Sequence, residues 1–339
     1  FTPNQWTNGS NNGEDKLSKN EQIHSSFSYS TTKFGGFLSG NYDFYASYNK
    51  ANFYDLFGPT KRSRKGFNFG MDYNQSIIYD PPRQLDFDFG VGAYYGLDQS
   101  PEFQQINFSE EYNTNIFYNL HTSLTFKDLK RSVGAVDGEK GINASLTLSS
   151  SITEGKFYPK MYGNLDIGLQ LPVNHTSLWF RNSLGSSFSN KYNPFTRFGF
   201  ASFGNNYIDY LSSKMYRSTF SFPGVSYDSD KFLIAKSFFK SMVELVLPPI
   251  RYRKLGFFNF FATYSSPSIF AGVLFSNDYN EYYSDPNIKE FFSNIGIQLD
   301  TKLVMFSHLS ATFSFGWARA FDNNVDNTSY DEWMISLKF

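Results

Sequence analysis

The chain of 339 residues has no cysteine, no long apolar run and almost no net charge. Without cysteine, neither a disulfide framework nor thiolate chemistry is possible. The net charge of −1 gives no electrostatic reason to expect nucleic acid as a partner. No stretch of about 18 uncharged apolar residues occurs, which excludes a transmembrane helix. The richest apolar run, residues 232–250, is interrupted by Lys236, Lys240 and Glu244.

Signatures of catalysis and of metal binding are also missing. The four histidines are scattered along the chain, and none has a second ligand at the spacing of a metal site. The sequence contains no nucleophile elbow, no phosphate-binding loop and no dinucleotide fingerprint. It therefore predicts a protein that is not an enzyme and that uses no cofactor and no metal.

Aromatic residues are abundant instead. The chain has 40 Phe and 24 Tyr, and its aromatic fraction of 20% is well above that of an ordinary soluble domain. The mean hydropathy of −0.41 is low for a membrane protein built from helices. A β-barrel reconciles the two values, because only alternate residues of each strand face lipid and aromatic girdles mark both interfaces.

Apolar and polar residues alternate along much of the chain, which is the period of a β-strand with two unlike faces. The clearest segments are 67–77, 85–93, 142–148, 161–171 and 309–317. Segments of about nine to eleven residues suffice for a tilted strand to cross a bilayer. The segments and the turn residues between them predict an all-β fold, a transmembrane antiparallel β-barrel of about sixteen strands over 22–339. Residues 1–21, rich in Asn, Gly, Ser and charge, are predicted to be a polar linker.

Two structural alternatives and one open question remain at this point. A soluble β-sandwich or propeller also has many strands, but a single layer of sixteen strands has no partner layer that would bury its apolar face. A helix over 232–250 is the local alternative, since Lys236, Lys240 and Glu244 recur every four residues. On the polar faces, Asp residues could form a cation-attracting pore lining or simply a hydrated wall: Asp72, Asp86, Asp88 and Asp166.

The last stretch, DEWMISLKF, continues the alternation to the final residue of the sequence. One face carries Trp333, Ile335, Leu337 and Phe339. A terminal aromatic strand of this type resembles the closing strand of outer-membrane barrels, whose last Phe is read as a signal by the barrel-assembly machinery. We expect this strand to pair with the strand around 22–31, where small serines predict a weak seam.

The opening segments resemble the outer-membrane insertase and transporter superfamily of the BamA, TamA and two-partner secretion type. The similar stretch is 27–70, in which an Asn-x-x-Gly-type turn joins the second and third strands of the family's barrel. The resemblance implies that this turn is periplasmic. Its residues here are Asn52, Gly58, Lys61, Arg62, Arg64 and Lys65.

The C-terminal third, over 239–264, 291–321 and 331–339, is similar to the same family. The resemblance implies that a long connection, 207–230, folds back into the lumen with Arg217 inside. The nearest match to the family's Arg-Gly-aromatic motif is Tyr216-Arg217-Ser218-Thr219-Phe220, from which the Gly is absent. A lumen arginine needs a charged partner, and the candidates are Glu244 and Asp300. The alternative is an arginine solvated at the tip of an external loop.

The resemblance implies a protein in the outer membrane of a Gram-negative bacterium. Its expected role is membrane biogenesis, protein export or the anchoring of an envelope assembly. Expected partners are outer-membrane lipids and lipopolysaccharide, together with other envelope proteins or an upstream periplasmic domain, and not nucleic acid. A passive channel for small solutes and a structural barrel that serves another domain are the alternatives.

Overall fold

The computed structural model describes residues 22–31, 40–49, 53–54, 62–63, 66–96, 116–188, 197–200, 203, 208–209, 214–225, 233–280, 285–306, 308–323 and 328–338. The predicted linker 1–21 lies outside these residues. Within them, no helix is both long enough and apolar enough to cross a membrane.

The described part of the chain forms twenty strands and one short 3-10 turn at Met215–Arg217. The strands are β1 Gln22–Thr31, β2 Gly40–Asn49, β3 Phe53–Tyr54, β4 Arg62–Ser63, β5 Gly66–Asp80, β6 Arg83–Tyr95, β7 Ile116–Lys130, β8 Lys140–Thr153, β9 Lys156–Gln170, β10 Ser177–Ser187, β11 Phe198–Phe200, β12 Ile208–Asp209, β13 Leu233–Ala235, β14 Ser237–Val246, β15 Ile250–Arg251, β16 Gly256–Phe257, β17 Phe260–Asn280, β18 Asp285–Met305, β19 Leu309–Asp322 and β20 Thr328–Lys338.

Sixteen strands form one sheet, in the order β1-β2-β5-β6-β7-β8-β9-β10-β14-β17-β18-β19-β20-β12, with β15 and β16 also paired to β17. All pairs in it are antiparallel except β12 with β20. The predicted all-β class and the count of about sixteen are confirmed, although β12, β15 and β16 have two residues each.

The helical alternative for 232–250 is wrong. Lys240 and Glu244 lie on one face of β14, because a spacing of four also keeps residues on one face of a strand.

The connections between strands divide into two ends of the sheet. We call the end at which β14 joins β17 the hairpin end, and the end at which β10 joins β14 the segment end. Since antiparallel neighbours reverse direction at every strand, the turns at 81–82, 131–139, 171–176 and 306–308 lie at the hairpin end. The connection that crosses residues 188–236 leaves from the segment end.

The strand order fixes the end of the sheet at which the predicted periplasmic turn lies. Six strands, β5 to β10, separate the β2–β5 connection from the β10–β14 connection, so both leave from the segment end. The two connections therefore lie at the same end of the sheet, and the periplasmic placement of the turn remains a prediction. Of the turn's residues, only the backbone of Arg62 in β4 is described. The others lie outside the described residues: Asn52, Gly58, Lys61, Arg64 and Lys65.

The predicted seam is not formed by the described residues. There β1 pairs with β2 alone, whereas β20 pairs with β19 and, through Leu337 and Lys338, with β12. Twelve antiparallel pairings lead from β1 to β20, so the two strands run in the same direction. An antiparallel pairing between them is therefore ruled out by topology, and the expectation that these two strands close the barrel is not met among the described pairs.

The two faces of the sheet have opposite polarity. On β20, Trp333 and Ile335 are 59% and 48% exposed, whereas Glu332, Ser336 and Lys338 are buried. The same alternation recurs in other strands. Exposed apolar side chains include Phe69, Leu146, Leu165, Leu184, Phe275 and Ile297. Buried polar side chains include Asp86, Lys160, Arg181, Lys240, Asn294, Asp300 and Asp322. We call these the exposed face and the covered face.

Part of the β10–β14 connection packs on the covered face. We call its described residues, 197–200, 203, 208–209, 214–225 and 233–235, the inserted segment. Two apolar clusters join it to β14 and the strands that follow. Its large buried side chains in these clusters are Phe198, Phe200, Phe203, Tyr216, Phe222, Val225 and Leu233. Burying each of these large side chains contributes about 1.5–3 kcal/mol, so burial alone gives the segment a stable position.

Candidate functional site

Glu244 is the centre of a charge cluster between the inserted segment and the sheet. It lies on the covered face of β14 and is fully buried. Its Oε2 accepts a hydrogen bond from Arg181 Nε at 2.6 Å, and its Oε1 accepts one from Arg217 Nη2 at 2.6 Å. The Tyr216 hydroxyl donates to Oε1 at 2.5 Å. We call these four residues the Glu244 clamp.

Arg217 connects the clamp to the hairpin end. It is the last residue of the 3-10 turn at Met215–Arg217. Its Nη1 donates to Asp137 Oδ2, in the β7–β8 connection, at 2.6 Å. Burial alone would lower the pKa of Arg217, but Glu244 and Asp137 raise it well above its ordinary value. The arginine is therefore a fixed cation between two carboxylates.

Arg181 extends the clamp across the neighbouring strands. It lies on β10, directly between β9 and β14 in the sheet. Its Nη1 donates to Asp166 Oδ2 on β9 at 2.9 Å, while its Nε is bound to Glu244 on β14. The guanidinium also lies over the ring of Trp179, 4.8 Å from the ring centre. One side chain thus joins three adjacent strands with charged hydrogen bonds.

Lys214 and Tyr216 attach the 3-10 turn to β17 and β18. Lys214 Nζ donates to Ser268 Oγ at 3.1 Å and lies 3.5 Å from Asp300 Oδ2. The Tyr216 ring stacks on Phe270 at 4.3 Å, and burial, followed by the charge of Glu244, raises the pKa of Tyr216 well above its ordinary value. Burial and the nearby Arg217 lower the pKa of Lys214, although Asp300 opposes this.

Backbone groups of the inserted segment are satisfied by side chains of the sheet. The Glu332 carboxylate accepts the N–H of Phe203 at 3.0 Å and the N–H of Gly224 at 2.8 Å. Lys240 donates to the carbonyls of Ser218 and Ser221. A segment with little regular structure can stay buried only if its backbone polar groups find such partners. These contacts fix its path on the covered face.

The geometry of the Glu244 clamp is better suited to holding the inserted segment in place than to catalysing a reaction. Both oxygens of Glu244 already accept hydrogen bonds from cations or a phenol, and the side chain is closed to solvent. A general base needs a free lone pair within reach of a substrate proton. The clamp has strong, charge-assisted hydrogen bonds and no open position. It can hold the inserted segment against the sheet.

The structure brings two predicted site residues together and separates others. Arg217 contacts Glu244, and Asp300, the other predicted partner, contacts Lys214 instead. Trp333 and Ile335 lie on the exposed face, Leu337 is half-buried on the same face, and Phe339 lies outside the described residues.

Sequence reasoning missed Arg181, Asp137 and Lys214. Of these three, only Arg181 could have been found from the sequence, because it lies on the polar face of β10. Asp137 and Lys214 lie in irregular connections, where no periodic pattern assigns residues to a face.

Acidification is expected to loosen the contact between Arg217 and Asp137. Burial raises the pKa of Asp137, but Arg217 outweighs it and holds the folded-state pKa below the ordinary value. The resulting stabilisation is complete above the unfolded-state pKa of about 3.9 and is lost as the pH falls through the lower folded-state pKa. We expect Asp137→Asn to lower the melting temperature at pH 6 and to make it less sensitive to pH between 5 and 2.5. A variant that keeps the wild-type pH profile would contradict this role.

Comparison of the chain with known protein families and with curated proteins found no match. Function must therefore be inferred from the polarity of the two faces and from the Glu244 clamp.

Proposed function

We propose that this chain is the membrane-spanning part of an outer-membrane protein of the insertase and transporter type. In this proposal it acts in membrane biogenesis, in protein export or as the anchor of an envelope assembly. The observation that carries the proposal is the reversed polarity of the sheet, with large apolar side chains exposed and charged side chains buried. In water, exposed apolar area of this extent is unfavourable. In a bilayer the same face is favourable.

The inserted segment supports the choice of protein type. The resemblance implies that the connection 207–230 folds inward with Arg217 inside, and in the structure Arg217 is held by the carboxylate of Glu244 on the covered face. The clamp fixes a long connection inside the proposed barrel, where it narrows the interior. This arrangement favours controlled handling of a protein client or of a partner domain over free diffusion of solutes.

Membrane insertion is tested by a charge on the exposed face. Ile297 is 46% exposed and lies between Ile269 and Trp317 on the adjacent strands. We expect Ile297→Arg to lower the free energy of folding into lipid vesicles by about 2–4 kcal/mol, the cost of arginine near the bilayer midplane. Urea unfolding in vesicles, followed by tryptophan fluorescence, measures it.

The matched control is Tyr79→Arg, which places the same charge at the end of β5, where the side chain is 75% exposed. Near an interface this change should cost only about 0–1 kcal/mol. If Ile297→Arg is tolerated as well as Tyr79→Arg, and the protein stays in solution when vesicles are floated, the exposed face does not contact lipid and the proposal fails.

A passive channel is the second candidate, favoured by the covered face of β5 to β7. There the side chains of Asp72 and His121 are 46% and 40% exposed, so water reaches them even though they lie on the covered face. Asp88 is hydrogen-bonded to Asn74 and Ser123 in the same row. Planar-bilayer recording separates the candidates. A steady cation conductance that Asp72→Asn reduces supports the channel, and a closed protein supports the first proposal.

A further inference from the structure

One corner of the sheet carries an unusual concentration of exposed aromatic and basic side chains. At the hairpin end, β17 continues past its last pair with β14, Ser268 with Val246. The chain turns back there, and β15 and β16 pair with β17 between Phe260 and Ser265. We call residues 250–261 the hairpin corner.

The tip of the hairpin corner is apolar and open to solvent. Phe257 is 86% exposed and Phe258 is 79% exposed, which places them among the most exposed large apolar residues of the described chain. Leu255 is 54% exposed beside them, and Phe306, in the adjacent β18–β19 turn, is 53% exposed. Isolated exposed apolar residues are ordinary, but a contiguous group on a protruding turn marks a contact surface.

The same hairpin is basic and has no acidic residue. Residues 247–261 contain Arg251, Arg253 and Lys254, and no Asp or Glu. All three side chains are exposed. Arg251 donates to the carbonyl of Gly134, which ties the hairpin corner to the β7–β8 connection, where Val133 is fully exposed. The surface that results combines positive charge with protruding apolar tips.

The hairpin corner is continuous with the exposed face of the sheet. Along β17, Phe275, Ile269 and Phe261 are 48%, 40% and 46% exposed, and Phe261 leads directly to the tip. If the exposed face lies in hydrocarbon, as proposed above, the corner emerges where hydrocarbon gives way to headgroups. Barrels carry girdles of aromatic residues at that depth, the stems of Lys and Arg are favourable there, and basic residues are attracted to anionic lipid.

We propose that the hairpin corner binds the headgroups of anionic glycerophospholipids in the leaflet at the hairpin end. Arg253 and Lys254 contact the lipid phosphates, and the tip aromatics insert between the headgroups. The occupant is a lipid and not a protein, because the basic charge is matched by anionic headgroups and the apolar tip extends an apolar face that already requires lipid. The inference rests on the proposed membrane insertion.

The test titrates phosphatidylglycerol into the full chain folded in neutral phosphatidylcholine nanodiscs and follows the melting temperature. We expect the melting temperature to rise with phosphatidylglycerol. In the double variant Arg253→Gln, Lys254→Gln the mole fraction for half-maximal effect should increase by roughly 25-fold, since each basic residue near an anionic surface contributes about fivefold. Phe257→Ser with Phe258→Ser should reduce the size of the rise. Inorganic phosphate in place of the lipid should have no effect.

The control pair is Lys156→Gln with Phe157→Ser, which removes an exposed lysine and a 58% exposed phenylalanine at the opposite end of the sheet. It should keep the wild-type response. An equal loss in both pairs, or no response to phosphatidylglycerol in a chain that inserts into nanodiscs, overturns the inference and leaves the membrane proposal standing. A phosphate response equal to that of the lipid means that the corner is only an anion site. A chain that does not insert at all overturns the membrane proposal itself.

Discussion

Glu244→Ala is expected to lower the free energy of unfolding by about 3–5 kcal/mol, the cost of breaking a buried ion pair from one side. Glu244 is the shared partner of Arg181 and Arg217, and it also accepts the Tyr216 hydroxyl. Its removal leaves two cations in a buried space. Asp166 and Asp137 each hold only the outer side of one arginine, so they cannot replace it. Urea unfolding in detergent micelles measures the change.

Two further variants test whether the effect of Glu244→Ala comes from the loss of its buried charge. Glu244→Gln keeps the shape and the hydrogen-bonding atoms but removes the charge, and it should be destabilised in the same direction. Asp331→Ala removes the partner of Arg319 from an exposed pair on the sheet surface. Pairs of that type contribute little because water and salt screen them, so its unfolding curve should remain near that of the wild type. Equal stability of Glu244→Ala and Asp331→Ala would show that the clamp does not hold the segment.

Gly224→Ala is expected to destabilise the protein by about 2–4 kcal/mol and to release the inserted segment. Gly224 has a φ of 102°, in the left-handed region, and its N–H is bound by Glu332. A Cβ there would lie 2.5 Å from the backbone nitrogen of Ala320 and 2.8 Å from its Cβ. Backbone atoms cannot move aside as a flexible side chain can, so the segment must shift away from β19.

Gly155→Ala is the matched control for Gly224→Ala. Gly155 also has a positive φ, 71°, but an added Cβ there meets nothing within 4 Å. It therefore incurs only the backbone cost, about 1–2 kcal/mol. The second measurement is trypsin cleavage after Lys214 and Arg217, which are buried or half-buried in the folded protein. We expect faster cleavage in Gly224→Ala alone. The same rate in both glycine variants would mean that the fit of Gly224 against β19 does not hold the segment.

The sequence was most informative where structure is local. A period of two identifies the strands and assigns each residue to a face, so segments such as 85–93 and 309–317 could be placed without coordinates. The same period predicted that the apolar residues of 331–339 share a face. It could not decide how β1 and β20 relate, because strand direction depends on how many strands intervene.

The site was predictable only in part. The resemblance suggested that the connection 207–230 folds inward with Arg217 beside Glu244 or Asp300, and in the structure Arg217 contacts Glu244. Asp137 lies 80 residues from Arg217 along the chain, in a connection with no periodic pattern. Its position follows from the path of the inserted segment, which is set by tertiary packing. Local reasoning also could not predict the end of the sheet at which the connection 50–65 lies. That position depends on the number of strands, six, between this connection and the β10–β14 connection.

The contacts between the inserted segment and Glu332 constrain the order in which the chain can fold. They join residues separated by 129 positions at Phe203 and by 108 at Gly224. The partner strand is made long after the segment itself, so the segment cannot reach its final position until β20 is in place. Contacts of such large sequence separation form slowly. Through that interval Phe198 and Phe200 can already pack on Phe238 of β14, whereas the backbone of Phe203 and Gly224 stays unanchored until the last strand arrives.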